Sequence, residues 1–148
     1  MERIAKAEWR GGLKNGNGRL STPSSGALSD TAYSFATRFE NRTGTNPEEL
    51  IGAAHAGCFS MALSGQLEKE FGLTAEELRT TATVKLEQTA EGWSVTTIHL
   101  DVTGTVPNCD SDTFQKAAAQ AKRDCPISRL LKATITMTAS LKQGRQAA

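Results

Sequence analysis

The chain has 148 residues, of which 38% are hydrophobic and 22% charged, and its formal net charge is +1. This composition is typical of a globular protein that can bury a core without disulfide bonds, so we expect one domain over residues 1–148. The net charge gives no electrostatic reason to expect binding to nucleic acid or to an anionic membrane. No apolar run reaches the roughly 18 residues that are needed to span a bilayer.

The N-terminal sequence and the cysteine content both bear on location. The first residues, MERIAKAEWRGG, are charged and lack the apolar segment of a secretion signal. The chain contains 3 cysteines, and a low, odd number argues against a structural disulfide framework. We therefore expect a cytoplasmic protein in which any disulfide bond is transient, redox-sensing or catalytic.

Strand patterns dominate the first part of the chain. Residues 2–10 and 17–22 are predicted to be the arms of a hairpin, because the sequence NGNG at the turn is a strong hairpin signal. Residues 31–39, TAYSFATRF, alternate in polarity and are predicted to form a third strand.

A long helix is predicted from Pro47 to about Phe71. Asn46 is a suitable N-cap, proline is favoured at the first helical position, and Glu49 stands at the third, as in a capping box. Residues 50–63 are apolar or small on nearly every face, which predicts a helix that is buried all round. A chain of this length has few elements with which to surround such a helix, so we expect a homodimer.

The remaining elements complete an α+β fold. β-Branched residues with alternating polarity predict an antiparallel strand pair, followed by two helices and a last strand. The predicted ranges are 79–89 and 93–105 for the pair, 111–124 and 126–131 for the helices, and 133–142 for the strand. This order predicts a mostly antiparallel sheet wrapped around the long central helix.

The residues alone leave the roles of the cysteines open. Cys58 lies in the apolar helix and is either a small buried hydrophobe or a reactive thiol in a dry pocket. Cys125 precedes a proline at a helix start, where a thiolate is stabilised, but an inert N-cap is an equal alternative. Cys109 lies in a polar loop and is interpreted as incidental. His55, one turn before Cys58, could act as a base or be a polar group at a helix or dimer interface. No spacing of these residues matches a common zinc site.

Two blocks of sequence carry a specific resemblance. They are TRFENRTGTNPEELIGAAHAGCFSMAL at 37–63 and AKRDCPISRLLKA at 121–133. Both resemble the OsmC/Ohr family of thiol-dependent organic hydroperoxide reductases, and its OsmC branch in particular, and the resemblance extends over essentially the whole chain. It implies an intertwined homodimer with an active site at each end of the subunit interface.

The resemblance also implies roles for four residues. Cys58 matches the peroxidatic cysteine, Cys125 the resolving cysteine, and Arg38 and Glu48 a charged pair of the OsmC branch. The implied reaction reduces an organic hydroperoxide to an alcohol through a Cys58 sulfenic acid and a Cys58–Cys125 disulfide. A dithiol, such as a lipoyl protein, resets the enzyme, and no metal, haem or flavin is required.

The implied chemistry is consistent with the residue types. Burial raises the pKa of a mid-helix thiol, so attack on a peroxide by thiolate needs a cation nearby. Arg38 is the candidate, held by Glu48, and it could also stabilise charge on the departing oxygen. Without the resemblance, Arg38 would be interpreted as a solvated strand residue. An apolar pocket with Phe39, Leu50 and Met61 would favour alkyl hydroperoxides.

The helical spacing adds one expectation beyond the resemblance. Glu48 and Cys58 are ten residues apart on one predicted helix, which separates them by about 15 Å along the axis. We therefore expect Arg38 and Glu48 to serve the thiol of the partner subunit. The alternative function is a redox sensor or a hydrophobic-ligand binding protein on the same scaffold, which would not turn over efficiently.

Overall fold

A computed structural model of the chain describes residues 1–40 and 42–142. The chain forms two compact units, Met1–Leu50 and Ile51–Ala148. No helix in the described ranges is long and apolar enough to cross a membrane. The expectation of one domain over residues 1–148 stays a prediction.

The first unit contains a small antiparallel sheet. Its strands β1 (Lys6–Arg10), β2 (Asn17–Ser21) and β3 (Thr31–Tyr33) are ordered β1-β2-β3, and each neighbouring pair is antiparallel. The predicted hairpin between β1 and β2 is confirmed. At Gly18, a side chain would collide with the ring of Tyr33 on β3, which explains why glycine stands at this point of close approach.

The predicted strand over residues 31–39 is wrong beyond Tyr33. The chain turns there into a short helix, α1 (Phe35–Phe39). The Ser34 hydroxyl oxygen accepts a hydrogen bond from the Thr37 amide at 3.2 Å, and the Thr37 hydroxyl oxygen accepts one from the Ser34 amide at 2.9 Å. This reciprocal capping box favours helix over the extended conformation that the alternating pattern indicates.

The predicted long helix is confirmed as α2 (Pro47–Phe71). Its N-cap is also confirmed, because the side-chain oxygen of Asn46 accepts a hydrogen bond from the Glu49 amide at 2.9 Å. A single copy of the chain does not bury every face of this helix. One stripe is buried, consisting of Gly52, His55, Phe59, Leu63 and Leu67, while a stripe of small and apolar residues stays exposed at Ala53, Ala54, Gly57, Met61 and Gly65.

The second unit contains a second three-stranded sheet. Strand β4 (Glu77–Thr89) is antiparallel to β5 (Gly92–Thr105), which is parallel to β6 (Thr134–Lys142). Parallel strands need a long crossover connection, and here it consists of α3 (Ser111–Asp124) and α4 (Pro126–Leu130). The predicted α+β fold with a mostly antiparallel arrangement and a long central helix is confirmed.

The hydrophobic core of the second unit is built by α2, β5 and α3. Its fully buried side chains include Phe59, Leu63 and Leu67 of α2, Ile98 and Leu100 of β5, and Phe114 of α3. Cys58 packs against this core, and Cys125 belongs to it. The same packing that stabilises the unit therefore fixes the positions of two thiols.

Candidate active site

The second unit brings together two cysteines that are far apart in sequence. The sulfur atoms of Cys58 and Cys125, hereafter the thiol pair, lie 2.9 Å apart although 67 residues separate them along the chain. A disulfide bond is about 2.05 Å long, so both side chains are free thiols in hydrogen-bond contact. Only a small movement is needed to form a covalent bond between them.

The backbone around Cys125 is fixed from both sides. Cys125 ends α3, where its amide donates to the Ala121 carbonyl at 2.8 Å, and it also precedes the first residue of α4, Pro126. Its φ and ψ of −57° and 121° lie outside the helical region, as expected for a residue before proline. The turn between the two helices therefore directs the buried Cys125 side chain towards Cys58.

The surroundings of Cys125 favour its thiolate. Burial by itself raises the pKa of this thiol, but hydrogen bonding with Cys58, with the amide and hydroxyl of Ser128 and with the Ile127 amide outweighs burial. The pKa of Cys125 therefore lies below its ordinary value. This is the effect expected of a cysteine at a helix start.

The surroundings of Cys58 have the opposite effect. Burial raises the pKa of the Cys58 thiol, the neighbouring Cys125 raises it further, and the Ile127 amide offsets only part of this. Within the second unit, the surroundings therefore favour a thiolate at Cys125 more than at Cys58. A reactive thiolate at Cys58 needs a cation beside it, as the sequence predicts.

Sequence reasoning did not single out Ser128, although it is the partner of the buried His55. The His55 ring nitrogen Nε2 lies 2.8 Å from the Ser128 hydroxyl oxygen. His55 is fully buried, and burial lowers the pKa of its ring. This contact favours the interpretation of His55 as a hydrogen-bonded polar group over that of a base on Cys58. The only sequence signal for Ser128 is its position three residues after Cys125.

The first unit holds the predicted charged pair. Arg38 lies on α1 and not on a strand, and Glu48 lies in the first turn of α2. Arg38 donates from Nε to both carboxylate oxygens of Glu48, at 3.1 and 3.2 Å, and from Nη2 to Oε1 at 2.7 Å. This ion pair is bidentate, and the two-point contact fixes the orientation of the guanidinium.

Arg38 borders an apolar cavity of about 300 Å³ in the first unit. The cavity is lined by Trp9, Leu13, Tyr33, Ser34, Phe35, Arg38, Phe39 and Pro47. Arg38 also lies over the ring of Phe39, with its central carbon 5.0 Å from the ring centroid. Of the three apolar residues expected in a hydroperoxide pocket, Phe39 lines this cavity, Leu50 is half-buried outside its lining, and Met61 is 78% exposed.

The third cysteine has different surroundings. The Cys109 thiol donates to the Asp110 carbonyl oxygen at 3.3 Å. Burial raises the pKa of Cys109, and the charge of Asp110 raises it further. Its interpretation as incidental stays a prediction.

Comparisons with known proteins agree with this fold. The family model of OsmC-like proteins matches residues 39–140. The chain is 49% identical to the peroxiredoxin OsmC of Escherichia coli over 142 residues, which are 96% of this chain and 98% of that protein. This chain therefore belongs to the OsmC family.

Two solved structures show the same fold. The organic hydroperoxide resistance protein OhrB of Bacillus subtilis is similar with a TM-score of 0.65 at 26% identity, over 94% of this chain and 98% of that one. An OsmC-like protein of unknown function from Vibrio cholerae has a TM-score of 0.73 at 15% identity, over 95% of this chain and 99% of that one, and shows the fold alone.

Proposed function

We propose that the chain reduces organic hydroperoxides to alcohols, with Cys58 as the attacking thiol and Cys125 as the resolving thiol. The observation that carries the proposal is the 2.9 Å distance between the two sulfur atoms, which are both free. The enzyme class rests on the 49% identity to a peroxiredoxin over nearly the full length, and the chain is accordingly a peroxiredoxin-like peroxidase.

The first step oxidises Cys58. Its thiolate attacks one oxygen of the hydroperoxide, the sulfur–oxygen bond forms, and the oxygen–oxygen bond breaks. The alkoxide leaves as an alcohol after it takes up a proton, and Cys58 becomes a sulfenic acid. Because burial raises the pKa of Cys58, this step depends on a nearby cation to hold the thiolate.

Arg38 is our candidate for that cation. Glu48 engages its Nε and Nη2, while Nη1 makes no hydrogen bond within the part of the chain that is described. One edge of the guanidinium is thus oriented by Glu48 and the other is available to a thiolate or to a developing alkoxide. The apolar cavity beside Arg38 is suited to the organic part of a hydroperoxide.

The second step forms the disulfide. Cys125 attacks the sulfur of the Cys58 sulfenic acid, and the oxygen leaves as water. A dithiol, of which a protein-bound lipoyl group is one example, then reduces the disulfide and returns both thiols. The low number of cysteines is consistent with the reducing cytoplasm, where we place this cycle.

A homodimer completes this proposal. The exposed stripe of α2, from Ala54 through Gly57 and Met61 to Gly65, is apolar and lies opposite the buried stripe. A second copy of the chain would cover it, and its small residues would allow close approach. Because α2 runs without interruption from Pro47 to Phe71, we propose that Arg38 and Glu48 of one protomer serve Cys58 of its partner.

One experiment tests the reaction directly. The fully reduced protein is given one equivalent of cumene hydroperoxide without reductant, and its cysteines are mapped by mass spectrometry. We expect a Cys58–Cys125 disulfide within one chain and a free Cys109. If Cys58 and Cys125 both stay reduced, the proposal fails. Repeated consumption of hydroperoxide after a dithiol is added separates an enzyme from a sensor, which stops after one equivalent.

A further inference from the structure

The reaction as described makes no use of the buried histidine. The chain has 2 histidines, and His55 is 0% exposed in the core-facing stripe of α2. Its Nε2 lies 2.8 Å from the hydroxyl of Ser128, which is itself only 8% exposed. A buried polar pair of this kind costs desolvation free energy, so its hydrogen bonds are of structural or functional consequence.

Ser128 links this histidine to the resolving thiol. It lies in α4, three residues after Cys125, and both its amide and its hydroxyl favour the Cys125 thiolate. The Ser128 hydroxyl thus lies 2.8 Å from the His55 ring and is also a hydrogen-bond partner of the Cys125 thiol, whose sulfur lies 2.9 Å from that of Cys58. Cys125 and Cys58 are the titratable groups on the far side of Ser128, and no charged side chain in the described ranges contributes to the pKa shift of His55.

The number of available hydrogen atoms determines which group donates in each of these hydrogen bonds. A serine hydroxyl has one hydrogen to donate, and a neutral imidazole carries one N–H. The Nδ1 atom of His55 is buried and has no hydrogen-bond partner among the described residues. A buried N–H without a partner is rarer than an unused acceptor, so the ring hydrogen belongs on Nε2. The ring then donates to Ser128, and the hydroxyl hydrogen is left for Cys125.

We propose that His55 is a positioning residue for disulfide formation, which orients the Ser128 hydroxyl so that it donates to the thiolate of Cys125. This inference rests on the proposed function and deepens it, because it assigns the step in which the two residues act. Neither side chain touches the hydroperoxide in this scheme. His55 and Ser128 act on Cys125 only.

The assigned step is the attack of Cys125 on the Cys58 sulfenic acid. The sulfur–sulfur bond forms, the sulfur–oxygen bond breaks, and hydroxide leaves and takes up a proton to become water. The hydroperoxide that the first step consumed is the oxidant. A hydrogen bond from Ser128 keeps Cys125 in the thiolate form that attacks, and it holds the sulfur in line with Cys58.

The test measures the two steps separately. Reduced protein is mixed with one equivalent of cumene hydroperoxide, and samples are quenched in time for mass spectrometry of sulfenic acid and of disulfide. Ser128→Ala removes the hydroxyl, and Ser128→Thr keeps it. His55→Leu removes the ring donor, and His55→Gln keeps an N–H donor. The matched control is His99→Leu, which removes the other histidine, whose Nδ1 bonds to Thr136 at 2.7 Å on the sheet.

We expect Ser128→Ala and His55→Leu to slow disulfide formation about tenfold, which is the effect of losing one hydrogen bond to a charged group. Sulfenic acid formation should change less than about twofold, since Cys58 is untouched. Ser128→Thr and His99→Leu should match the unaltered protein, and His55→Gln should recover part of the loss. Unchanged disulfide formation in Ser128→Ala, or an equal slowing of both steps, overturns the proposal.

A second measurement does not depend on peroxidase activity. In a Cys58→Ser, Cys109→Ser background, Cys125 is the only thiol, and its thiolate can be titrated by absorbance at about 240 nm. Ser128→Ala and His55→Leu should each raise the pKa of Cys125, and His99→Leu should not. If the pKa stays the same, the inference fails. If it rises but the unaltered protein forms no sulfenic acid, the proposed function fails and the inferred hydrogen bonding stands.

Discussion

The thiol pair and the ion pair are built in opposite ways. The thiols come from positions 67 residues apart, and the core of the second unit holds them together, with Cys125 fully buried. The ion pair joins residues only 10 positions apart in the first unit, and the Arg38 side chain is 37% exposed. The first arrangement depends on tertiary packing, and the second joins the last turn of α1 to the first turn of α2.

The difference shows what each region lacks. The thiol pair contains the proposed nucleophile. Its own surroundings raise the pKa of Cys58, so the thiolate needs a cation from elsewhere. The ion pair provides an oriented cation beside an apolar cavity, but it contains no nucleophile. In the proposed mechanism each region supplies one part of a hydroperoxide reductase, and the following predictions test that division from the largest expected effect to the smallest.

The largest effect is expected at Cys58, the proposed attacking thiol. Cys58→Ser should lower the turnover of cumene hydroperoxide by about a thousandfold or more, because no other group can replace the nucleophile. Cys125→Ser should still consume one equivalent and then stop. The measurement is hydroperoxide consumption with excess dithiol, with Cys109→Ser as the matched control. Full turnover by Cys58→Ser would remove the thiol pair from the mechanism.

A smaller loss is expected at the cation. Arg38→Ala should lower kcat/KM by about a hundredfold, the usual effect of one electrostatic stabiliser, and Arg38→Lys should lie between. The pH–rate profile should also change. Thiolate is the reactive form, so loss of the cation raises the pKa of Cys58 and moves the rising limb to higher pH. The control is Arg42→Ala, at an exposed arginine nearby; an equal loss there would indicate a general charge effect.

Mixing two inactive variants tests whether the two regions act between protomers. If the ion pair serves the partner's thiol, a dimer of one Arg38→Ala chain and one Cys58→Ser chain keeps one complete site. Random reassociation should then restore about a quarter of the full activity. Each variant mixed with itself is the control. If the mixture stays inactive although mixed dimers are seen by mass spectrometry, the two regions act within one chain.

Stability should distinguish the regions as well. A side chain at Gly104 would stand 2.5 Å from the ring of Phe114, so Gly104→Ala should destabilise the protein by about 1–3 kcal/mol through overpacking. Gly12→Ala, where nothing lies within 4 Å, is the control. Urea unfolding measures both. The thiol pair should become less well positioned as the core loosens, and disulfide formation should slow with it.

The smallest effect is expected at the start of α2, which carries Glu48. Asn46→Ala removes the acceptor for the Glu49 amide and should cost about 1 kcal/mol of unfolding free energy. Asn46→Ser keeps a capping oxygen and should cost less. Thermal unfolding provides the comparison. An equal loss in both variants would mean that the cap bond does not stabilise the helix.

Much of the fold could be predicted from local sequence signals. The cap at Asn46 and the proline after it set the start of α2, and alternating β-branched residues predicted β4 and β5. The failure at residues 34–39 has a local cause too, because the capping box of Ser34 and Thr37 overrides the alternating pattern. Signals of this kind act over a few residues, so they can be found without the tertiary structure.

The sequence by itself determined the family, through the two blocks around Cys58 and Cys125, and it identified Arg38 and Glu48 as candidates. It left open whether either cysteine was reactive. Only the tertiary structure decided that the two sulfur atoms lie 2.9 Å apart, that the pKa values of the two thiols shift in opposite directions, and that Ser128 is a partner of both His55 and Cys125. The physical reason is that burial and hydrogen bonding depend on which distant segments pack together, and no local pattern encodes that.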